Sequence, residues 1–350
     1  WFFVAALFLG TVALLPGVQY AVVPDNALTV WFLDDDPALV AYNQFHEVYG
    51  NDEVVLLYVD FETSLFTADG LQTLGRLHDA LQATEGVASV RSLWDARDLS
   101  EAADGSLLYT PLLPRPPPAD LTELKRRVTG HPLFTGRLLS ADGSKLMLWV
   151  QMAVMDDFDA RRDAVVDAVR ATADQALAGQ PFAIAGTGVI YSGLNRVTQR
   201  DAGLFLSLGY LIMLVMLWLI LRQTRLVLAA MGVIVVGSIA CLGVYGLMGH
   251  RLNMISAVLP TLVIVLGIAD AVHFPTAMLH ALPGRSPMAA ALIGLRQVIL
   301  PCLLTTLTTL AGLLALTSSP MAVVREFGLY AAVGLLASLV YGLFHFLLRL

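Results

Sequence analysis

Residues 252–274 read LNMISAVLPTLVIVLGIADAVHF. These 23 positions hold no Lys or Arg and a single acid, Asp270. Crossing a hydrocarbon layer takes about 20 apolar residues of helix, because no water is there to satisfy the backbone. The run from about Leu252 to Leu279 meets that length and predicts a membrane span. An aspartate near a bilayer centre costs about 2.5–3.5 kcal/mol on insertion scales, so its presence there points to function. His273 stands one turn on at i+3, and His280 falls on the same face.

Five more stretches pass the same test: Trp1 to about Val23, Ala202–Leu221, Leu226–Gly249, about Val298–Ser318 and about Phe327–Leu348. Within the six, Asp270 is the only deeply placed acid. The chain has 350 residues, 57% hydrophobic and 14% charged, with a mean hydropathy of +0.71, which argues against a purely soluble enzyme. Its charge is segregated. Ala21–Asp201 holds 14 Lys and Arg against 26 Asp and Glu, whereas Ala202–Leu350 holds 7 against 2. We expect three parts: a first helix (1–23), an inserted acidic domain (24–201) and a five-helix bundle (202–350). An acidic domain offers no basic face for nucleic acid.

Arginines set the expected orientation, because cytoplasmic loops retain positive charge. If the first helix leaves the cytoplasm, the inner loops and tail hold Arg222, Arg225, Arg285, Arg296 and Arg349, and the outer loops only Arg251 and Arg325. The acidic domain then lies on the extracytoplasmic side, the periplasm of a Gram-negative cell. The start at Trp1, with no basic region before the apolar run, suggests a piece beginning inside its first helix.

Within 24–201, Ala27–Leu33 and Glu53–Phe61 read as strands, Asp36-Pro37 as the cap and first turn of a helix to about Val48, and Thr67–Ala83 as a helix before a strand at Val87–Val90. A long loop containing Pro114 to Pro118 follows. Then come a helix at Asp120–Val128, strands at Arg137–Ser140 and Lys145–Met152 around an Asp142-Gly143 turn, a helix at Asp159–Ala178 and a strand at Phe182–Gly186. Two βαβ-type halves with a hairpin between predict a ferredoxin-like α+β fold. It carries no catalytic set: GxSxG, HExxH and GxxxxGK[ST] are absent, and Gly186-Thr187-Gly188 meets Tyr191 where a dinucleotide fingerprint needs its third glycine. Asp34-Asp35-Asp36 lacks the ligand spacing of a calcium loop and reads as a solvated cap. Cys241 and Cys302 sit in apolar runs and form no metal pair.

The candidate site is therefore intramembrane. Desolvation favours the neutral acid at Asp270, and a protonated His273 opposes that, so the pair is a candidate proton relay. Gly267 lets a neighbouring helix approach, and Pro275 removes a backbone donor where the helix can bend. Thr305, Thr306 and Thr309 offer hydroxyls that either support the carboxyl or bond their own helix.

With the fourth-span run quoted above and TTLTTLAGLLAL at 305–316, the whole chain resembles one half of a transporter of the resistance-nodulation-cell division (RND) superfamily, in its MMPL-type, predicted-exporter branch. The resemblance implies an α-helical membrane protein of six transmembrane helices with an inserted porter-type domain. It implies a multi-pass protein of the bacterial inner membrane that uses the proton gradient, without metal or organic cofactor, to export hydrophobic or amphiphilic compounds. The family's fourth-helix motif usually reads glycine, about two apolar residues, then Asp followed by Asp, Tyr or Phe. Here Ala269 stands at the first position and Asp270 at the second, so a single Asp assisted by His273 is what this chain permits. Implied partners are membrane lipids, a hydrophobic substrate and a second half or another protomer. Two alternatives are a lipid- or sterol-sensing module, since sterol-sensing domains share the five-helix arrangement, and an auxiliary subunit of protein secretion.

Overall fold

A computed structural model describes residues 9–348 except 51, 63, 102, 103, 105, 156 and 157, with backbone alone for 100, 101, 159, 269, 270 and 344–348. In chain order the elements are α1 (Leu15–Ala21), a 3-10 turn (Leu28–Trp31), α2 (Pro37–Tyr49), β1 (Val54–Asp60), α3 (Ala68–Gln82), β2 (Val87–Arg91), β3 (Arg97–Glu101), β4 (Leu107–Pro111), α4 (Leu121–Thr129), β5 (Lys145–Met152), α5 (Phe158–Leu177) and β6 (Phe182–Ala185). The long helices follow: α6 (Thr187–Leu221), α7 (Thr224–Leu247), α8 (Leu259–Ala281) after a 3-10 turn at Ser256–Val258, α9 (Pro287–Ala315) and α10 (Ala322–Leu348). Val40–Gly193 forms one compact unit and the rest of the chain another.

The Val40–Gly193 unit is built on a four-stranded antiparallel sheet in the order β2-β5-β1-β6. Side chains alternate across a strand, so Val55, Leu57 and Val59 of β1 and Leu146, Leu148 and Val150 of β5 are buried, while Tyr58 and Trp149 are exposed. Leu71, Leu74, Leu77 and Leu81 of α3 and Val165, Val166 and Val169 of α5 close over the buried face in one core. Caps set the helix starts: Thr67 Oγ1 accepts Gly70 N–H at 2.9 Å, Asp120 Oδ1 accepts Thr122 N–H at 3.0 Å, and Asp36 Oδ1 accepts Ala38 N–H at 2.8 Å. The Asp142-Gly143 turn has Gly143 at φ +74°, with Asp142 bonded to Ser140 and Ser144, which holds its carboxyl well below the usual range.

A buried ion pair braces this core. Arg162 of α5 donates from Nε and Nη2 to the two carboxylate oxygens of Glu53, both at 2.6 Å, just before β1. The bidentate geometry meets much of the cost of burying both charges.

Among the described residues, five helices are long and apolar enough to cross a membrane: Thr187–Leu221, Thr224–Leu247, Ser256–Ala281, Pro287–Ser318 and Ala322–Leu343. Small residues let them approach closely. A Cβ on Gly17 would lie 2.0 Å from Gly243 O, and one on Gly246 1.8 Å from Gly17 O, so α1 and α7 meet backbone to backbone. Met213 and Leu217 of α6, Ala230 and Ile234 of α7, and Ile264 and Ala271 of α8 share a second core.

Several expectations change. Ala27–Leu33 is no strand, because Val30 and Phe32 N–H groups turn back to Ala27 and Thr29 carbonyls in a 3-10 turn. Arg137–Ser140 makes only isolated bridges, because Leu138 and Leu139 N–H both bond Phe134 O. The expected long loop contains the β3–β4 hairpin. In the fourth span, α-helix begins only at Leu259, and the fifth helix starts eleven residues early, where Ser286 Oγ accepts Ala289 N–H at 3.3 Å. The sixth begins at Ala322 and takes in Glu326 near its start. Of the first span, Trp1–Phe8 lies outside the described residues.

Candidate functional site

Polar side chains shape the approach to α8. Asn253 Oδ1 accepts the N–H groups of Ile255 and Ser256, both at 2.9 Å, and Ser256 Oγ accepts Asn253 N–H at 2.8 Å. Asn26 links this corner to α6: its Oδ1 accepts Met254 N–H at 2.9 Å, and its Nδ2 donates to Asn195 Oδ1 at 3.0 Å and Thr198 Oγ1 at 3.1 Å. Asn26, Asn195, Thr198, Asn253 and Ser256 are all buried. A buried polar network of this kind is costly unless satisfied, so it fixes where α8 begins relative to α6.

Further along α8, Gly267 packs near α10 and α7 with room for a methyl group. A Cβ there would contact Ser338 Oγ of α10 at 3.4 Å and Ile234 Cγ1 of α7 at 3.8 Å, ordinary packing distances. Pro275 is buried within the unbroken helix, offering no N–H to the carbonyl four residues back, and Thr276 Oγ1 donates to Val272 O at 2.7 Å beside it. His273 is exposed. The side chains of Ala269 and Asp270 lie outside the described residues, so the expected Asp270–His273 pairing has no distance attached.

On α9, Thr305 Oγ1 donates to Pro301 O and Cys302 O at 3.0 Å, and Thr309 Oγ1 to Thr305 O at 2.8 Å. These two hydroxyls serve their own helix backbone. Thr306 is buried.

Two features escaped the sequence reading. The first is an apolar groove of about 690 Å³ between α6 and α8. Phe205, Ile212 and Met216 line its α6 wall and Met254, Thr261 and Ile268 its other wall, with Thr198 and Asp201 also in the lining. Ile268 lies two residues before Asp270, so the groove runs along the helix that carries the acid. The second is a cluster around Glu326. His250 Nδ1 lies 3.3 Å from Glu326 Oε1, Tyr245 Oη donates to Glu326 Oε2 at 3.3 Å, and the Tyr245 and His250 rings stack at 5.2 Å. Burial lowers the His250 pKa below its ordinary value, against an opposing pull from Asp34. Among the described residues no three His, Cys, Asp or Glu side chains gather as a metal site.

A family model, described as MMPL family, matches residues 40–343, covering the sheet unit and nearly all of the long helices. The chain belongs to the MMPL family. No curated protein matches it. MMPL membership, with five apolar helices, makes this a multi-pass membrane protein of the RND superfamily, whose MMPL members are transporters of hydrophobic substrates and not enzymes. For an MMPL-family chain, an apolar groove beside α8 is a site with the right chemistry for such a substrate.

Proposed function

We propose that this chain is one half of a proton-driven exporter of hydrophobic or amphiphilic compounds, resident in the bacterial inner membrane, with its acidic α+β unit on the extracytoplasmic side. The observation that carries the reading is that α8 serves as one wall of the groove and as the backbone of Asp270. Proton binding at Asp270 and ligand binding in the groove therefore act on one helix, and a ligand that prefers one position of α8 couples to the proton that prefers the same position.

In this account Asp270 carries the proton and His273 assists it. Gly267 is the small packing position at which α8 shifts, Pro275 the weakened turn at which it bends, and Thr306 a supporting hydroxyl; Thr305 and Thr309 are secondary. The domain boundaries follow function: a first helix over 1–23, a porter-type domain over 24–201 that captures and releases substrate, and the bundle over 202–350. The strand order β2-β5-β1-β6, antiparallel throughout with α3 and α5 over the buried core face, supports a ferredoxin-like porter module. The proton gradient supplies the energy without a cofactor, and a second half or another protomer completes the transporter.

A lipid-sensing module is the second reading, favoured by the groove alone. Uptake of a hydrophobic fluorescent probe into inverted vesicles separates the two. Proton-driven export requires uptake that stops when an uncoupler collapses the gradient, whereas unchanged accumulation after uncoupling would leave passive binding as the account.

A further inference from the structure

We propose that the groove between α6 and α8 binds cationic amphiphiles, with an ammonium-type head held by Asp201 and Phe205 and an apolar body lying along the groove. This names a substrate class for the transport reading and rests on that reading only for calling the ligand a substrate.

Among the described residues, Asp201 is the only charged one in the lining. Among the described residues its carboxylate has no hydrogen-bond or ion-pair partner, while neighbouring polar groups are committed elsewhere: Asn26 Nδ2 donates to both Asn195 and Thr198. Among the described residues no lysine or arginine lines the groove. An anionic head would meet a carboxylate with no cation to offset it. A cationic head meets an acceptor that otherwise has none.

Phe205 strengthens the assignment. It stands at i+4 from Asp201 on α6, where side chains share a face, and both line the groove. A carboxylate beside an aromatic face is the pairing that holds alkylammonium groups, the ring contributing cation–π attraction. Beyond Phe205 the lining is apolar as far as Met216, fifteen residues from Asp201 and about 22 Å along the helix axis, room for a long hydrocarbon body. The volume of about 690 Å³ falls within the range of ligand sites. Met213, Met216 and Met254 give it adaptable walls that accept bodies of varied shape.

The test is calorimetric titration of the full-length protein in phosphatidylcholine nanodiscs with dodecyltrimethylammonium and with dodecanoate, subtracting empty nanodiscs. The wild type should bind the cation saturably and on the order of tenfold more tightly than the anion. Asp201→Asn should remove that preference, Asp201→Glu should retain it, and Gly209→Trp, which fills the groove beside Ile264, should abolish binding of both. Equal affinity for the two head groups in the wild type overturns the proposal without any variant. So does cation binding that Asp201→Asn or Gly209→Trp leaves unchanged. Cation-selective binding without proton flux would fell the transport reading and leave this site standing; flux without head-group preference would do the reverse.

Discussion

His250 Nδ1 lies 3.3 Å from Glu326 Oε1, joining the connection between α7 and α8 to the first turns of α10. Burial nevertheless dominates the imidazole and lowers its pKa, and the same cause lowers that of His78, whose Nδ1 is 2.9 Å from Ser92 Oγ. In the unfolded chain both imidazoles take up protons first, near their ordinary pKa of about 6.5. Stability is therefore full above that pH and is lost as pH falls below it. The melting temperature should drop between pH 7 and pH 5. His250→Gln and His78→Gln should each flatten part of the drop, and the double variant more. A profile unchanged in the double variant would contradict this.

The Glu53–Arg162 pair makes a sharper stability prediction. Both side chains are buried, so removing one partner takes from the other its bidentate counter-charge. Glu53→Gln should cost about 3–5 kcal/mol in denaturant unfolding. Replacing both with apolar residues of similar volume should recover most of that loss. Equal costs for the single and double variants would argue against a penalty from the lost counter-charge.

Close helix packing is testable by contrast within α7. A methyl group at Gly246 would collide with Gly17 O, whereas Gly232 has nothing within 4 Å. Gly246→Ala should destabilise by about 1–3 kcal/mol through displaced backbone, and Gly232→Ala should be neutral or stabilising because alanine is the better helix former. Thermal melting in detergent distinguishes them, and similar shifts would deny the α1–α7 contact.

What the sequence made legible follows from the strength of each periodic signal. Lys145–Met152 alternates cleanly and lies where its pattern says, as do the helices begun by Thr67 and Asp120, whose caps are written in single residues. Arg97–Glu101 and Leu107–Pro111 were opaque because Leu107, Leu108 and Tyr109 are exposed, so no buried face marks the hairpin. The helix starts at Pro287 and Ala322 were missed because hydropathy weighs Arg296 and Glu326 against a span, whereas a helix continues through a charge its surroundings accommodate. The stripe Val197, Asp201, Phe205, Leu208, Ile212 and Met216 has helical spacing, yet spacing alone does not tell a lipid face from a groove. Asp270 and His273 stand out in the sequence because charge in an apolar run is costly; the groove required α6 and α8 together.

The central claim is that Asp270 carries the proton that drives transport. The most direct test is proton flux into liposomes holding the full-length protein, read by an internal pH dye under an imposed gradient, for wild type and Asp270→Asn. The account predicts flux in the wild type and its loss in a variant that keeps the wild-type melting temperature. Equal flux in the two proteins would contradict it.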